Sequence, residues 1–401
     1  MINLKLVKEI VFVSYVPLTN RIIESYYFDD FTNMGVRVCY CDVSRCFLMQ
    51  NETNKIEYNR INYFIANNYE QLASFIKERS SDDYLFVSLI PRYSESYKLF
   101  SLFTKCNTNV GYFGIDNISE FHSKDFYSKT GYVKYLYNML LSKEGRGRLF
   151  GYIKDKYIKT KVDLNLINGY DVLFAAGEAG KSSGGVLGNS ELKNAKIISI
   201  NSTNYEKKQL IERQESIIRD PYVLFIDQYL PLHPDAKICN LPPLTPGTYY
   251  QSLNEYFDRV EQRFGCQVVI AAHPSAELYK TKDFFSGRRV LFGLTDLLSR
   301  DAEIVLTHAS TSIAYIILFK KRMHLLSFRE LHEMRPYFHG QIQKTAELLG
   351  CNWQYMDDDS EIDVVNSIDE KKYTEYKYTY LTSPESENMR SIDIIRKEFG
   401  R

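Results

Sequence analysis

The sequence predicts an α/β chain of two Rossmann-like domains, each built on a parallel sheet. Three observations carry this. Short apolar runs rich in Val and Ile recur along the chain, as in VVIAA at 268–272 and EIVLT at 303–307; strands buried on both faces read this way. Helix-like stretches alternate with them, and that alternation makes a doubly wound sheet. The length of 401 residues suits two domains, each with its own core.

The elements follow in order. Ile10–Val16 reads as the first strand and is too short for a signal segment or a membrane span. Leu18–Met34 is helix-like, and Gly35 ends it. Val36–Cys41 is the second strand. Tyr69–Arg79 is helical, Tyr84–Ile90 a buried strand, Tyr93–Phe103 a helix and Val110–Ile115 a strand. Tyr170–Ala175 and Ala195–Ile200 are two more strands. Tyr205–Ile218, rich in charge and followed by Arg219-Asp220-Pro221, reads as a helical linker. A second series starts at Tyr222–Asp227 and continues through Val268–Ala272, Arg289–Phe292, Glu303–Thr307 and Met323–Ser327. The expected domains are 1–218 and 219–384, with a C-terminal helix over 385–401 that packs back on the first. No stretch reaches the length of a membrane-spanning helix.

Composition removes some classes of function. Fifty basic residues balance fifty acidic ones, which argues against a dedicated nucleic-acid binder. Of seven cysteines, Cys39 and Cys41 share a strand-like run with no second cluster. Reduced core thiols in a cytosolic protein are therefore expected rather than a zinc site.

Two polar signatures each follow an apolar run. The first is Ala271-Ala272-His273-Pro274. Pro274 bars a regular helix through His273 and holds it on a tight strand exit, where an imidazole can donate to a phosphate. The second is Thr307-His308-Ala309-Ser310-Thr311-Ser312, which opens the apolar helix IAYIILF. A helix start with Ser and Thr caps is an anion site that needs no lysine. In parallel sheets, ligands sit outside the carboxyl ends of strands. The two signatures are expected on neighbouring strand ends, converging on one phosphate.

The order of motifs resembles bacterial sialyltransferases and related capsule and lipopolysaccharide glycosyltransferases of the GT-B type. Those enzymes carry an HP motif, a strand, a helix, another strand and an S-S/T motif. Here the series is His273-Pro274, RRVLF, LTDLLSRD, AEIVL and Ser310-Thr311, and the likeness covers roughly Tyr222–Phe328. It implies a GT-B fold with the two sheets facing a central cleft, an N-terminal acceptor domain and a C-terminal nucleotide-sugar domain. It also implies that His273, Pro274, His308, Ser310, Thr311 and Ser312 hold the phosphate and cytidine of a CMP-activated sugar. Asp227 and Gln228, at the end of the first strand of the second domain, would face the nucleotide. The family needs no metal. His233-Pro234, a second such pair with no strand directly before it, reads as loop.

A sugar acceptor must lose a proton as it attacks, so a carboxylate base is expected at a strand end of the first domain. Asp116, after VGYFGI, is the candidate. Its surroundings are similar to the family's acidic motif, with Ile115 in place of the first acid and Asn117 in place of the glycine. An Asx-type turn is the structural alternative. Glu178 is the runner-up. It lies in Ala175–Ser182, which misses a phosphate-binding P-loop by one residue, Ala175 standing for the first glycine. A P-loop must open a helix. Ser183–Gly188 is poor helix material, so a Gly-rich loop facing the cleft is expected.

Lys143–Lys161 carries seven basic and two acidic residues, with aromatic and aliphatic residues between them. A solvated helix face and docking on an anionic membrane both fit. Asp357-Asp358-Asp359 contains D-x-D but reads as a solvated loop, and no metal site is expected. The function expected is transfer of a sugar, a nonulosonate such as a sialic-type acid, from a CMP donor to a glycan or lipid-linked oligosaccharide acceptor. The enzyme would be cytoplasmic, with peripheral contact at the inner membrane face as the further reading for 143–161. A UDP- or GDP-sugar transferase or epimerase, and a non-catalytic nucleotide-sugar-binding scaffold, are the alternatives.

Overall fold

In the computed structural model of the chain, the described residues are 2–47, 56, 58–90, 92, 96–115, 153–154, 156–157, 160–161, 164, 166–182, 192, 194–234, 236 and 241–401. They build two parallel sheets with helices on both faces, which is the α/β class and the pair of Rossmann-like domains expected. The chain divides into two compact units. Among the described residues, the first holds everything up to Thr203 together with Tyr378–Arg401, and the second holds Asn204–Lys377.

The first sheet has seven strands: β1 Glu9–Ser14, β2 Arg37–Asp42, β3 Asn62–Ile65, β4 Tyr84–Ser88, β5 Val110–Gly114, β6 Val172–Ala176 and β7 Lys196–Ile200. Their spatial order is β3-β2-β1-β4-β5-β6-β7. Strand alternation sorts the side chains of β1 onto two cores. Ile10 and Phe12 join Phe28, Phe31, Ile392, Ile395 and Phe399 on one face. Val11 and Val13 join Leu72, Phe75, Phe100 and Phe103 on the other. Glu9 is buried at the strand start because Arg37 (2.9 Å) and Arg79 (3.3 Å) neutralise it. The cysteines Cys39 and Cys41 are core residues of β2.

The stretch read as one helix over 18–34 is two, Asn20–Ser25 and Phe28–Asn33. Between them Tyr27 takes φ 58°, the left-handed region that a bulky residue rarely enters. The break sets Phe28 against Phe12 at 4.4 Å.

The second sheet has six strands: β8 Tyr222–Ile226, β9 Gln267–Ala272, β10 Val290–Phe292, β11 Ile304–Thr307, β12 Arg322–Ser327 and β13 Asn352–Tyr355. Their order is β10-β9-β8-β11-β12-β13. A 19-residue helix, Pro246–Phe264, covers one face. Proline suits its first turn, and Gly265 ends it at φ 66°. Its buried residues Tyr249, Tyr250, Leu253, Tyr256, Phe257 and Val260 form one stripe.

The unit boundaries fall at Thr203/Asn204 and Lys377/Tyr378, where the sequence placed them at 218/219 and 384/385. Side-chain clasps explain both shifts. Arg300, on the helix Thr295–Asp301, donates to the Ile211 and Gln214 carbonyls and to Ser216 Oγ, so this segment belongs to the second unit. Ser202 N–H donates to the Leu381 carbonyl at 2.8 Å, and Asn201 Nδ2 donates to the Met389 carbonyl at 2.8 Å. The returning chain is thereby tied to the end of β7. The last helix, Ser391–Phe399, buries Ile392, Ile395 and Phe399 in the core of the first unit.

Candidate functional site

The strand order of the second sheet reverses between β8 and β11. That is its topological switch point, where doubly wound sheets hold ligands beyond the carboxyl ends of the strands. The register makes the geometry explicit. Ile226 pairs with Ala271 on one side and with Thr307 on the other. Two residues further along each chain come Gln228, His273 and Ala309, which therefore form one row across three adjacent strand ends. The expectation that the two signatures lie on neighbouring strands needs correction. Strand β8 stands between β9 and β11, so their ends are about 10 Å apart, with Asp227-Gln228 between them.

His273 is held as the sequence suggested. Ala276 N–H donates to the His273 carbonyl at 2.9 Å, closing a four-residue turn with Pro274 at its second position. Ser275 N–H donates to His273 Nδ1 at 3.2 Å. Nδ1 is thus an acceptor, and the proton of the neutral ring sits on Nε2.

Gln228 forms a clamp. Ala309 N–H donates to its Oε1 at 3.1 Å, and its Nε2 donates to the Ala309 carbonyl. Both ends of the amide are spent on the backbone that carries Ser310, so Gln228 positions the β11 exit.

Asp227 is buried, 2 % exposed. Tyr229 N–H donates to Oδ1 at 3.0 Å, which steadies Tyr229 at φ 54°. Oδ2 is enclosed as well. Burial disfavours the charged form and pushes the carboxyl up to about 6. Asp227 was expected to face the nucleotide; it lies beneath the surface instead.

His308 also differs from expectation. It is fully buried. Nδ1 donates to the Leu326 carbonyl at 2.7 Å, so Nε2 accepts from the Tyr249 hydroxyl at 3.0 Å. Burial lowers its pKa to about 4 and keeps it neutral. With both nitrogens engaged in the core, it braces the strand end and offers nothing to a ligand.

The Ser-Thr-Ser stretch enters a short, wholly buried helix, Ile313–Leu318. Ser312 stands at the cap position without a side-chain cap bond. Ser310 Oγ accepts from Ser312 N–H at 3.2 Å, and the Ser310 carbonyl accepts from Ile313 N–H at 3.2 Å. Thr311 is exposed at the tip, and Ser310 and Ser312 are half-buried. The row His273, Gln228, Ala309–Thr311 therefore presents one imidazole and a hydroxyl-bearing turn on either side of a fixed amide.

Of the two base candidates, Asp116 lies outside the described residues. Glu178 is two-thirds exposed and pairs with Lys181 at 2.7 Å. The Gly-rich stretch that holds it was expected as a loop, but Gly177–Ser182 is helical. Its glycines have a packing reason. A Cβ on Gly180 would overlap the Gly114 carbonyl oxygen, and one on Gly177 would overlap the Thr379 carbonyl oxygen. Lys181 and Ser182 come four and five residues into this helix rather than at its start, unlike the P-loop arrangement; Ser183–Gly188 lies outside the described residues.

Of the basic segment, the structure describes Ile153, Lys154, Lys156, Tyr157, Thr160 and Lys161; Ile153 and Tyr157 are exposed. Asp357 accepts from Arg329 N–H at 3.0 Å at the start of the helix Arg329–Met334. Among the described residues no group of three or more His, Cys, Asp or Glu could hold a metal, and no helix is long and apolar enough to cross a membrane.

Sequence reasoning missed two things. Tyr249 and Tyr279 line the buried layer under the switch point; Tyr279 bonds the Tyr250 hydroxyl at 2.7 Å. The second omission is His233, whose ring meets that of His273 at 4.7 Å. The repeated His-Pro dipeptide was its only signal.

No protein-family model matches the chain, and no curated protein matches it. Several solved structures are similar. One is UDP-GlcNAc 2-epimerase from Methanocaldococcus jannaschii, with a TM-score of 0.44 and 10% identity, over 97% of this chain and 99% of that one. The wall teichoic acid polymerase TagF has a TM-score of 0.41 and 10% identity, over 99% of this chain and 85% of that one. S. aureus MnaA, in a structure with UDP, has a TM-score of 0.43 and 9% identity, over 97% and 94%.

Proposed function

We propose that the chain is a glycosyltransferase that takes a nucleotide-activated sugar, with a CMP-linked nonulosonate as donor and a glycan as acceptor. The observation that carries this is the row of His273, Gln228 and Ala309 across the switch point, with Ser310 and Thr311 directly after it. In the reaction the acceptor hydroxyl oxygen attacks the anomeric carbon. The bond from that carbon to the phosphate oxygen breaks, and CMP leaves with the electron pair. His273 Nε2–H donates to the departing phosphate, and the hydroxyls of Ser310 and Thr311 donate to its other oxygens. Gln228 fixes the turn that carries them. A carboxylate, Asp116 or Glu178, takes the acceptor proton. Catalysis on this reading is positioning and stabilisation of the leaving charge, and needs no divalent cation. Peripheral docking of 143–161 on anionic lipid belongs to the same proposal.

Donor hydrolysis and transfer assays over CMP-, UDP- and GDP-sugars test it. Turnover of a CMP-nonulosonate, lowered strongly in kcat by Asp116→Asn with nucleotide affinity kept, is the expected result. Turnover of only a UDP- or GDP-sugar overturns the donor. Binding of nucleotide with no turnover of any donor leaves a scaffold.

A further inference from the structure

The two His-Pro turns of the second unit meet. After β8 the chain turns at Tyr229, where Leu232 N–H donates to the Tyr229 carbonyl at 3.0 Å, and this brings His233 back over the exit of β9. Its ring meets the ring of His273 at 4.7 Å between centroids, inclined at 66°. Both residues are partly exposed.

We propose that His233 is a second phosphate-holding residue of the site, acting with His273 as a pair of imidazoles that take the phosphate of the bound nucleotide. The inference rests on the reading that this switch point binds a nucleotide phosphate. The ring contact puts both imidazoles at one place, the exit of β9, and a phosphate against both rings favours their charged, donating forms. Phosphate binding is then linked to proton uptake, and the affinity falls as pH rises through the range where imidazole titrates. The other ionisable groups among the described residues of these segments are Asp227 and Tyr229 beside β8, and Glu277, Tyr279 and Lys280 after His273. Glu277 and Lys280 pair with each other at 2.8 Å, and Asp227 and Tyr279 are buried.

The test compares the wild-type full chain with His233→Phe and His233→Gln by calorimetry. The probes are CMP, UDP and inorganic phosphate, at about pH 6 and about pH 8. Phe keeps an aromatic ring against His273 and removes the nitrogens; Gln keeps a hydrogen-bonding group and removes the titration. The wild type should bind the phosphate probe more tightly at the lower pH. His233→Phe should weaken it roughly tenfold at the lower pH and much less at the higher one. His233→Gln should retain part of the affinity and lose part of the pH dependence. Wild-type affinity and pH dependence in His233→Phe would make the ring contact purely structural and overturn the inference, while CMP binding would still stand. Binding of UDP but not CMP overturns the CMP reading alone, and His233 is then judged on UDP. Binding of none of the three by the wild type overturns both.

Discussion

The side-chain amide of Gln228 closes on the backbone of Ala309 from both directions, accepting its N–H at 3.1 Å and donating to its carbonyl. Two strand ends that are adjacent in the sheet but far apart in sequence are locked at the height where a ligand would sit. Gln228→Ala removes both bonds and leaves a partly buried N–H and carbonyl without them, which costs about 1–3 kcal/mol. If the clamp positions Ser310 and Thr311, nucleotide affinity should fall about tenfold while the thermal midpoint drops only a few degrees. Calorimetry and thermal denaturation check the two effects separately. An unchanged affinity would make the clamp purely structural.

Asp227 and His308 give opposite pH slopes. The Asp227 carboxyl is raised from 3.8 to about 6, so the folded state binds its proton more tightly than the unfolded chain does. Stability from this group is full below the unfolded value and declines as pH rises to about 6. Above that the buried carboxylate costs on the order of 3 kcal/mol. Asp227→Asn should therefore gain on the wild type as pH rises from 4 to 7, in chemical denaturation across pH. His308 is lowered from 6.5 to about 4. Its contribution is full above the unfolded value and is lost as pH falls toward 4. His324, buried against Gln354, is lowered to about 4 as well and steepens the same acid limb. His308→Gln should flatten that limb; an unaltered slope would contradict its burial as a neutral ring.

Gly180 tests the glycine packing. A methyl group there meets the Gly114 carbonyl oxygen and the Ala175 backbone, and neither can move without disturbing β5 and β6. Gly180→Ala should destabilise by about 1–3 kcal/mol, even though alanine is the better helix former. A rise in thermal midpoint would show that the approach is looser than the structure has it.

The strands buried on both faces were legible because an unbroken apolar run fills the middle of each: β1, β4, β8 and β11 were read within two residues of where they lie. Of the edge strands, β7 and β10 were read, but β3 and β13, NYFI and NWQY, were not, because they carry no run of Val and Ile and polar Asn or Gln shortens their apolar stretch. The helix Pro246–Phe264 also went unmarked; its stripe is half tyrosine, with only Leu253 and Val260 aliphatic. At the site, sequence order marked His273 and the Ser-Thr-Ser turn, but not the direction in which side chains point. His308 precedes a polar turn and so read as a ligand, whereas strand alternation turns it into the core toward Tyr249. His233 was illegible as a partner of His273. Their meeting depends on the path of the turn after Tyr229, which no local pattern encodes.

The central claim is that His273 and the Ser310–Thr311 turn hold one phosphate across the end of β8. Calorimetric titration of CMP without magnesium, on the wild type, His273→Ala and the double variant Ser310→Ala with Thr311→Ala, tests it most directly. The account predicts metal-independent binding that is tighter below pH 7. His273→Ala should weaken it tenfold or more and reduce the pH dependence. The double variant should weaken it with the pH dependence kept. CMP affinity unchanged by both substitutions would contradict the account.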